Sequence, residues 1–342
     1  MKIIPGNAQH IGTRKEQQDD FGFSDINNAR FISHGGVIAV LTDGMGGLKM
    51  GREASRTAVR TMRKAYEAKS PEETIPGALD RSLHLANKAV FEMAQEAGLE
   101  EDVGTTLVAA VVHREALYWI SVGDSRIYLF RKGQLTRLTF DHVYARELDK
   151  EVARGNISRQ EAESDPDRDA LTSYLGSPEI KEIDRNVSEF LLEPGDRILL
   201  CSDGLHRALP EKEMAQMLGG QPQDDAESLV KNALSKKLPH QDNLTVAILA
   251  YSPENSMSCL MPDKNTFSIS SGFVKKIVIP GLILILIGLA FIIYKSSITD
   301  VIKDAEKIPM QSAPVSDEKQ KKTHDELNKT LPGSPPTLND EL

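Results

Sequence analysis

Cysteine is almost absent from this sequence, and so are basic clusters. Only Cys201 and Cys259 occur in 342 residues, so no disulfide framework can form. The net charge is −9, from 41 Lys and Arg against 50 Asp and Glu, and no basic stretch is interleaved with aromatics, so nucleic acid is not expected as a partner. The N-terminus lacks the apolar core of a signal peptide. These absences predict a first domain that stays in the reducing cytosol.

Hydrophobic residues make up 40% of the chain, enough for one sizeable globular domain with appendages. We predict that domain at residues 1–251, followed by a polar linker at 252–273 and a disordered, charged and Pro-containing tail at 295–342. Between linker and tail, 274–294 contains the apolar run Ile277–Tyr294, bracketed by lysines. A buried core helix is the alternative. Because the run is apolar all round and follows a finished domain, a single transmembrane helix is the better prediction.

Two predicted strands end in the same acidic motif. Val37–Leu41 is a short run rich in β-branched residues that leads into Asp43 and Gly44, and Arg197–Cys201 leads into Asp203 and a further glycine. Asp-Gly by itself is a common turn signal. Its recurrence after two buried strands instead favours a site for a hard cation, which needs rigidly held carboxylates and a close approach of backbone oxygens.

Other acidic residues lie beside strands as well. Asp124 is in a turn between two predicted strands, and Asp242 directly precedes the apolar run Leu244–Ala250. Asp19 and Arg14 lie in an N-terminal segment that by itself is typical of an ordinary surface loop. The aspartates thus recur at strand ends throughout the chain.

The remaining segments predict how the strands are covered. Helical periodicity over Arg52–Ala68 and Pro71–Ala97 predicts two helices packed on a sheet, and Thr105–Leu138 predicts an antiparallel meander. Phe31–Gly36 is expected to form a hairpin with the strand that follows it. The charged segment Tyr144–Asp169 is predicted to hold one or two short helices, either as a lid beside a site or as a solvated spacer.

Eight motifs, taken in order, resemble the type 2C metal-dependent protein serine/threonine phosphatases, the PPM family, in their bacterial single-domain form. They are GTRKEQQDD, VLTDGMGG, GTT, VGDSRIYL, LTFDH, LTSYLG, PGDRILLCSDGL and QDNLTVAIL, and they span roughly Asn7–Tyr251. The resemblance implies an α+β fold, a four-layer α/β/β/α sandwich of two antiparallel sheets flanked by helices. The predicted C-terminal transmembrane helix follows this sandwich in the sequence.

The resemblance also implies a binuclear centre at one end of the sandwich. In it Asp43 bridges two ions, and the carbonyl of Gly44 is a further ligand. Asp203 and Asp242 complete the protein ligands of one ion, while Asp19 places the other, largely through water. These oxygen ligands suit Mn²⁺ or Mg²⁺ rather than zinc.

Two further roles come from the same resemblance. Asp124 is expected to bind an additional, weaker third ion, and Arg14 to clamp the substrate phosphate with its planar fork. Water activated between the two ions attacks phosphorus, so no phosphoenzyme is needed.

The chain departs from the family pattern at several positions. Gln18 stands where many members have a glutamate, and Met45 and Leu48 stand where some have a histidine. The general acid for the leaving oxygen is therefore left open. His142 is interpreted as a structural histidine, because a buried imidazole is commonly just a hydrogen-bonded core group.

The function predicted is hydrolysis of phosphoserine and phosphothreonine in proteins by a phosphatase anchored in a bacterial cell membrane, catalytic domain inside, opposing a cognate serine/threonine kinase. The alternative is an inactive phosphoprotein-binding scaffold tethered by its helix, which the missing histidines and Gln18 would favour. Against the scaffold, Arg14 and every implied metal-binding aspartate are present.

Overall fold

The computed structural model describes residues 2–46, 50–100 and 102–252, which form twelve strands and eight helices. The strands are β1 (Lys2–His10), β2 (Asp19–Phe23), β3 (Val37–Met45), β4 (Gly104–Thr105), β5 (Leu107–His113), β6 (Ala116–Val122), β7 (Arg126–Arg131), β8 (Gln134–Arg137), β9 (Asp184–Arg185), β10 (Phe190–Leu191), β11 (Arg197–Cys201) and β12 (Leu244–Ser252). The helices are α1 (Ala29–Gly35), α2 (Met50–Glu67), α3 (Ile75–Glu96), α4 (Ala145–Ala153), α5 (Arg159–Ser164), α6 (Asp203–Ala208), α7 (Glu211–Gln216) and α8 (Pro222–Ser235).

The strands build two antiparallel sheets. The five-stranded sheet has the order β1-β12-β11-β7-β8. The seven-stranded sheet has the order β10-β6-β5-β3-β2, with β4 paired to β3 and β9 paired to β6. The two antiparallel sheets that the sequence analysis expected are confirmed.

Strand β3 shows why the sequence of this fold contains unbroken apolar runs. Side chains alternate between the two faces of a strand. In β3, Ile38 and Val40 pack into the core formed with α2 and α3, whereas Ala39 and Leu41 pack into the core between the two sheets. A strand covered on both faces has no polar side, so its sequence reads as continuously hydrophobic.

Helices cover the outer face of each sheet. On one side α2 and α3 contribute buried residues such as Met62 and Leu83, and on the other α6 and α8 contribute Leu205 and Leu229. The described part of the chain therefore has helix, sheet, sheet and helix layers with three apolar interfaces. Helix α3 begins at Ile75, where the Thr74 side chain accepts a hydrogen bond from the Gly77 amide, instead of near Pro71 as expected.

The hairpin expected around Phe31–Gly36 is wrong, because these residues belong to helix α1. The Asn28 side chain accepts a hydrogen bond from the Phe31 amide and so caps the helix, and Gly36 ends it at a φ of +71°. The preceding strand that pairs with β3 is β2, which lies before this helix in the sequence. Phe31 faces the core from one side of the helical turn, an arrangement that a two-residue apolar run does not reveal.

The charged segment at Tyr144–Asp169 contains two short helices, as predicted. Helix α5 carries a capping box in which Ser158 and Glu161 satisfy each other's backbone amides. Leu148 and Ala162 are the buried apolar residues of this segment. The Arg146 guanidinium pairs with Glu182, which joins the segment to the main body.

Among the residues that the structure describes, no helix combines the length and hydrophobicity needed to cross a bilayer. The predicted span at 274–294 and the tail at 295–342 lie outside the described residues. So does the predicted linker, except for its first residue, Ser252.

Candidate metal centre

Two aspartates face each other across neighbouring strands. Asp19, the first residue of β2, is the register partner of Asp43 near the end of β3. Backbone hydrogen bonds hold Asp43 in place, because its amide donates to the Thr106 hydroxyl at 2.9 Å and its carbonyl accepts from the Thr106 amide at 2.9 Å. Directly opposed residues in antiparallel strands project to the same face, so the two carboxylates share one side of the sheet.

Asp19 is buried, with one carboxylate oxygen satisfied and the other free. Its Oδ2 accepts hydrogen bonds of 2.7 Å from the hydroxyls of Ser202 and Thr245, which belong to the five-stranded side of the sandwich. Among the described residues no donor reaches Oδ1. Burial raises the pKa of Asp19 to about 7; the two hydroxyls lower it, and the charge of Asp203 raises it further.

Asp43 and Asp203 experience the same mutual repulsion. Burial raises the pKa of Asp43 well above its ordinary value, and the charges of Asp19, Asp203 and Asp124 raise it further. For Asp203 burial again raises the pKa, while the Arg207 guanidinium and a hydrogen bond with the Asp43 carboxyl oppose the rise. Two carboxyl groups approach this closely only when a proton or a cation lies between them.

Glycines allow the backbone to come close at two points of the centre. A Cβ on Gly44 would lie 2.0 Å from the Gly51 carbonyl oxygen, and a Cβ on Gly204 would lie 2.0 Å from that of Asn243. Neither position can hold a larger residue without moving backbone. Close packing of the backbone therefore requires the glycine that follows Asp43 and the glycine that follows Asp203.

The N-terminal loop brings Arg14 to the centre. The Arg14 Nη2 donates to Asp242 Oδ2 at 2.5 Å, with the Arg14 side chain 56% exposed. Asn243 holds this loop: its Oδ1 accepts from the Gln18 amide at 2.7 Å, and its Nδ2 donates to the Ile11 carbonyl at 2.9 Å. The sequence analysis did not identify Asn243, whose only signal was its position directly after Asp242.

Asp124 faces an arginine that the sequence analysis also missed. Its pKa is raised to about 7 by burial and by the charge of Asp203, and Arg207 opposes that rise. Arg207 Nε lies 3.0 Å from Asp203 Oδ2, four residues earlier in helix α6. That i,i+4 spacing could have revealed the pair once the helix was known.

Neither His142 nor His206 is available as an acid. His142 Nδ1 accepts a hydrogen bond from the Gly123 amide at 3.0 Å, and its pKa is lowered by burial, in keeping with the structural role expected for it. His206 Nε2 donates to the Asp124 carbonyl oxygen at 3.1 Å, and burial lowers its pKa to about 3. Cys201 is fully buried, and burial raises the pKa of its thiol to about 12, which excludes it as a nucleophile.

The residues fit hard cations. A cavity of about 610 Å³ is lined by Arg14, Asp43, Asp124, Asp203 and Asp242, with Gly44 beside them. Within the described residues, no three His, Cys, Asp or Glu side chains enclose one point as a structural metal cage would. Mg²⁺ and Mn²⁺ do not require such a cage, because they keep several waters and use few carboxylates. The repelling carboxylates and the free Asp19 oxygen are what such ions would satisfy.

The structure thus brings all seven predicted site residues to one end of the sandwich. Asp43, Asp124, Asp203 and Asp242 line the cavity together with Arg14 and Gly44, and Asp19 is the register partner of Asp43 in the neighbouring strand. Their individual roles as ligands stay a prediction.

Comparisons with known proteins point the same way. The family described as "Protein phosphatase 2C" matches residues 7–244. The serine/threonine phosphatase stp of Listeria innocua is 33% identical over 215 residues, which are 62% of this chain and 83% of that protein. The crystal structure of the Mycobacterium tuberculosis serine/threonine phosphatase PstP/Ppp superposes with a TM-score of 0.61 at 26% identity, over 73% of this chain and 99% of the other. A crystal structure of the PstP catalytic domain in complex with two manganese ions gives a TM-score of 0.59 at 25% identity, over the same shares of the two chains.

Proposed function

Since this chain belongs to the protein phosphatase 2C family and is a protein serine/threonine phosphatase, we propose that it hydrolyses phosphoserine and phosphothreonine with two Mn²⁺ or Mg²⁺ ions held by Asp19, Asp43, Gly44, Asp203 and Asp242. The observation that carries the proposal is the meeting of repelling carboxylates from separate strands in one cavity. Such a cluster costs stability in the absence of cations, so it indicates a cation-binding function.

Some of these residues bind the ions, and Arg14 binds the substrate. When bound, the ions supply Lewis-acid activation of water and neutralise the phosphoryl oxygens. Asp43 and Asp203 hold the ions, and the Gly44 carbonyl adds a neutral oxygen. Arg14 is half exposed at the rim, where its fork can leave Asp242 and pair with two oxygens of an incoming phosphate.

We assign the proton that the leaving serine or threonine oxygen requires to water. His142 and His206 are both held by backbone groups of the Gly123–Asp124 turn and are neutral near pH 7. Neither lines the cavity. The reaction accordingly does not depend on histidine protonation, in contrast to a mechanism in which a histidine is the general acid.

The assay is phosphate release from a phosphothreonine peptide by the full chain in the presence of Mn²⁺. We expect chelation to abolish the activity and Asp43→Asn or Asp203→Asn to reduce it at least about a hundredfold, because each removes a charged ligand. Asp224→Asn, on the exposed first turn of α8, is the matched control and should retain activity. Full activity in either active-site variant would refute the ligand assignment. Peptide binding without any hydrolysis by the wild type would favour the scaffold alternative.

The membrane anchor is part of the same proposal and is supported by the apolar run within 274–294. The full chain should sediment with membranes and require detergent for release, whereas a chain ending at residue 251 should not. A C-terminal tag should be accessible only from outside the cell. Recovery of the full chain in the soluble fraction would contradict the anchor.

We also propose a membrane-associated serine/threonine kinase as the partner. An anchored phosphatase meets proteins that are phosphorylated at the same surface, which favours such a pairing. Phosphoproteomics of cells lacking the chain should show a set of phosphothreonine sites that rises and that disappears on deletion of one kinase. If no site changes, the pairing is wrong.

A further inference from the structure

Arg207 occupies the middle of three carboxylates on one side of the cavity. Its three guanidinium nitrogens each face a different residue: Nε lies 3.0 Å from Asp203 Oδ2, Nη2 lies 3.6 Å from Asp124 Oδ2 and Nη1 lies 3.5 Å from Asp169 Oδ2. The Arg207 side chain is 48% exposed, and it lines the cavity along with all three aspartates.

These carboxylates come from three separate parts of the fold. Asp124 is in the turn between β6 and β7, Asp203 begins helix α6, and Asp169 lies at the end of the charged segment that contains α4 and α5. No sequence-local contact explains the meeting of the three. The only positive side chain that the structure places within 4 Å of all of them, among the described residues, is Arg207.

The resemblance described above led to the expectation of a third, weaker ion at Asp124. A divalent cation bound there would be coordinated by the carboxylate oxygens that Arg207 now faces. Its charge would repel the nearby guanidinium. The guanidinium is permanently charged and tethered to α6, so it is always present, whereas a weakly bound ion depends on its free concentration.

We propose that Arg207 takes the place of the third divalent cation in this protein: its guanidinium neutralises Asp124 and Asp203 and holds Asp169 to the centre, so that the chain binds two ions instead of three. The proposal rests on the two-ion chemistry proposed above. Arg207 is a positioning residue, since it acts through the aspartates and through the charged segment that Asp169 terminates.

The test is a count of Mn²⁺ bound per full chain in detergent, from the electron paramagnetic resonance signal of free Mn²⁺ during a titration to millimolar concentration. We expect two ions for the wild type and three for Arg207→Gln, which keeps polar atoms but removes the charge. Arg207→Lys is the matched control: it keeps the charge and should bind two. The double variant Arg207→Gln with Asp124→Asn should return to two, because the added site has lost its carboxylate.

The outcomes separate this proposal from the function on which it rests. Three ions in the wild type, or two in a folded Arg207→Gln, would overturn the replacement of the third cation and leave the two-ion function intact. No bound Mn²⁺ in the wild type would overturn the function itself. If Arg207→Gln does not fold, Asp124→Asn alone decides: an unchanged count of two supports the proposal, and a lower count refutes it, because Asp124 would then be a ligand.

Discussion

At the scale of single residues, the centre combines groups whose pKa values burial shifts in opposite directions. Burial makes the carboxyls of Asp19 and Asp124 weaker acids, with pKa values raised to about 7, and makes His206 a weaker base, with a pKa lowered to about 3. All three changes favour the neutral form. A bound cation would lower the pKa values of the aspartates again, because a nearby positive charge stabilises an ionised carboxylate. It would not do so for His206, whose ionised form is itself positive.

His206 predicts a measurable sensitivity to acid. Its pKa is lower in the folded chain than in the unfolded chain, so between pH 6.5 and pH 3 the unfolded chain binds more protons and stability falls as the pH falls. Between pH 7 and pH 5 this amounts to about 2 kcal/mol. His206→Gln keeps a donor for the Asp124 carbonyl and should lose less stability than the wild type over this interval in urea denaturation. His240→Gln, at an exposed position, is the control and should follow the wild type.

The raised pKa values of Asp19 and Asp124 act in the opposite direction, because the folded chain then holds protons that the unfolded chain has lost. For that reason the prediction concerns the difference between His206→Gln and the wild type, in which the aspartate contribution cancels. Identical pH dependence in the two proteins would contradict it.

At the scale of elements, the start of β12 organises the rim of the centre. Asp242 pairs with Arg14, and the next residue, Asn243, holds the loop that carries Arg14 through hydrogen bonds to its backbone. Backbone amides and carbonyls in loops must find partners, and here one buried amide side chain supplies three of them. Arg14, the residue proposed to bind phosphate, therefore depends on the residue directly before β12, which is distant in the sequence.

Asn243→Ala should weaken substrate binding more than catalysis. Removal of the buried side chain takes away its hydrogen bonds to the Gln18 amide and to the carbonyls of Ile11 and Glu16, so we expect a loss of about 2 kcal/mol in the free energy of unfolding. With its loop released, Arg14 should be less well placed, which raises KM for a phosphothreonine peptide several-fold with a smaller change in kcat. Steady-state kinetics and urea denaturation measure both effects.

Asn232→Ala is the control for this variant, because its side chain makes one hydrogen bond within helix α8. It should leave KM unchanged and cost less stability. An Asn243→Ala protein with the stability loss but a normal KM would show that the loop does not position Arg14.

At the scale of the whole molecule, the centre exists because two sheets end at the same place. Asp19 and Asp43 belong to the seven-stranded sheet, whereas Asp203 and Asp242 lie next to the ends of β11 and β12 in the five-stranded sheet. Asp124 is in the turn by which the chain crosses from one sheet to the other. Closing the sandwich therefore brings like charges together, and the apolar burial between the sheets has to offset their repulsion.

This conflict predicts that the metal-free protein gains stability when a charge is removed. We expect Asp43→Asn to be about 1 kcal/mol more stable than the wild type in the presence of chelator, since a neutral amide ends the repulsion. Saturating Mn²⁺ should raise the melting temperature of the wild type, with about 2.7 kcal/mol gained at a hundred times Kd. The same addition should change Asp43→Asn little. Scanning calorimetry with and without Mn²⁺ measures both.

Asp224→Asn serves again as the control, because its side chain is exposed and lies outside the cavity. Its metal-free stability and its response to Mn²⁺ should match those of the wild type. A metal-free Asp43→Asn protein that is less stable than the wild type would mean that the Asp43 carboxylate has favourable partners that outweigh the repulsion.

The sequence by itself determined several of the strands and the acidic residues at their ends, whereas β2 lies in a segment that it predicted as a surface loop. Runs such as Val37–Leu41 and Arg197–Cys201 are buried on both faces, so their hydrophobicity is continuous and their limits are sharp. The motif resemblance supplied the family and the roles expected of Arg14 and Asp43. Where local signals compete the sequence was a poorer guide, as in helix α1, whose Asn28 cap outweighed the strand-like appearance of Phe31 and Ile32.

Tertiary structure alone decided which distant side chains support the centre. Ser202 and Thr245 hold Asp19 from the opposite sheet, Asn243 fixes the N-terminal loop, and Arg207 meets carboxylates from three segments. None of these contacts has a sequence signature, because each joins residues that are far apart in the chain, apart from the i,i+4 pair of Arg207 with Asp203. Periodicity reports the environment of one element, whereas contacts of this kind arise only when both sheets have closed on each other.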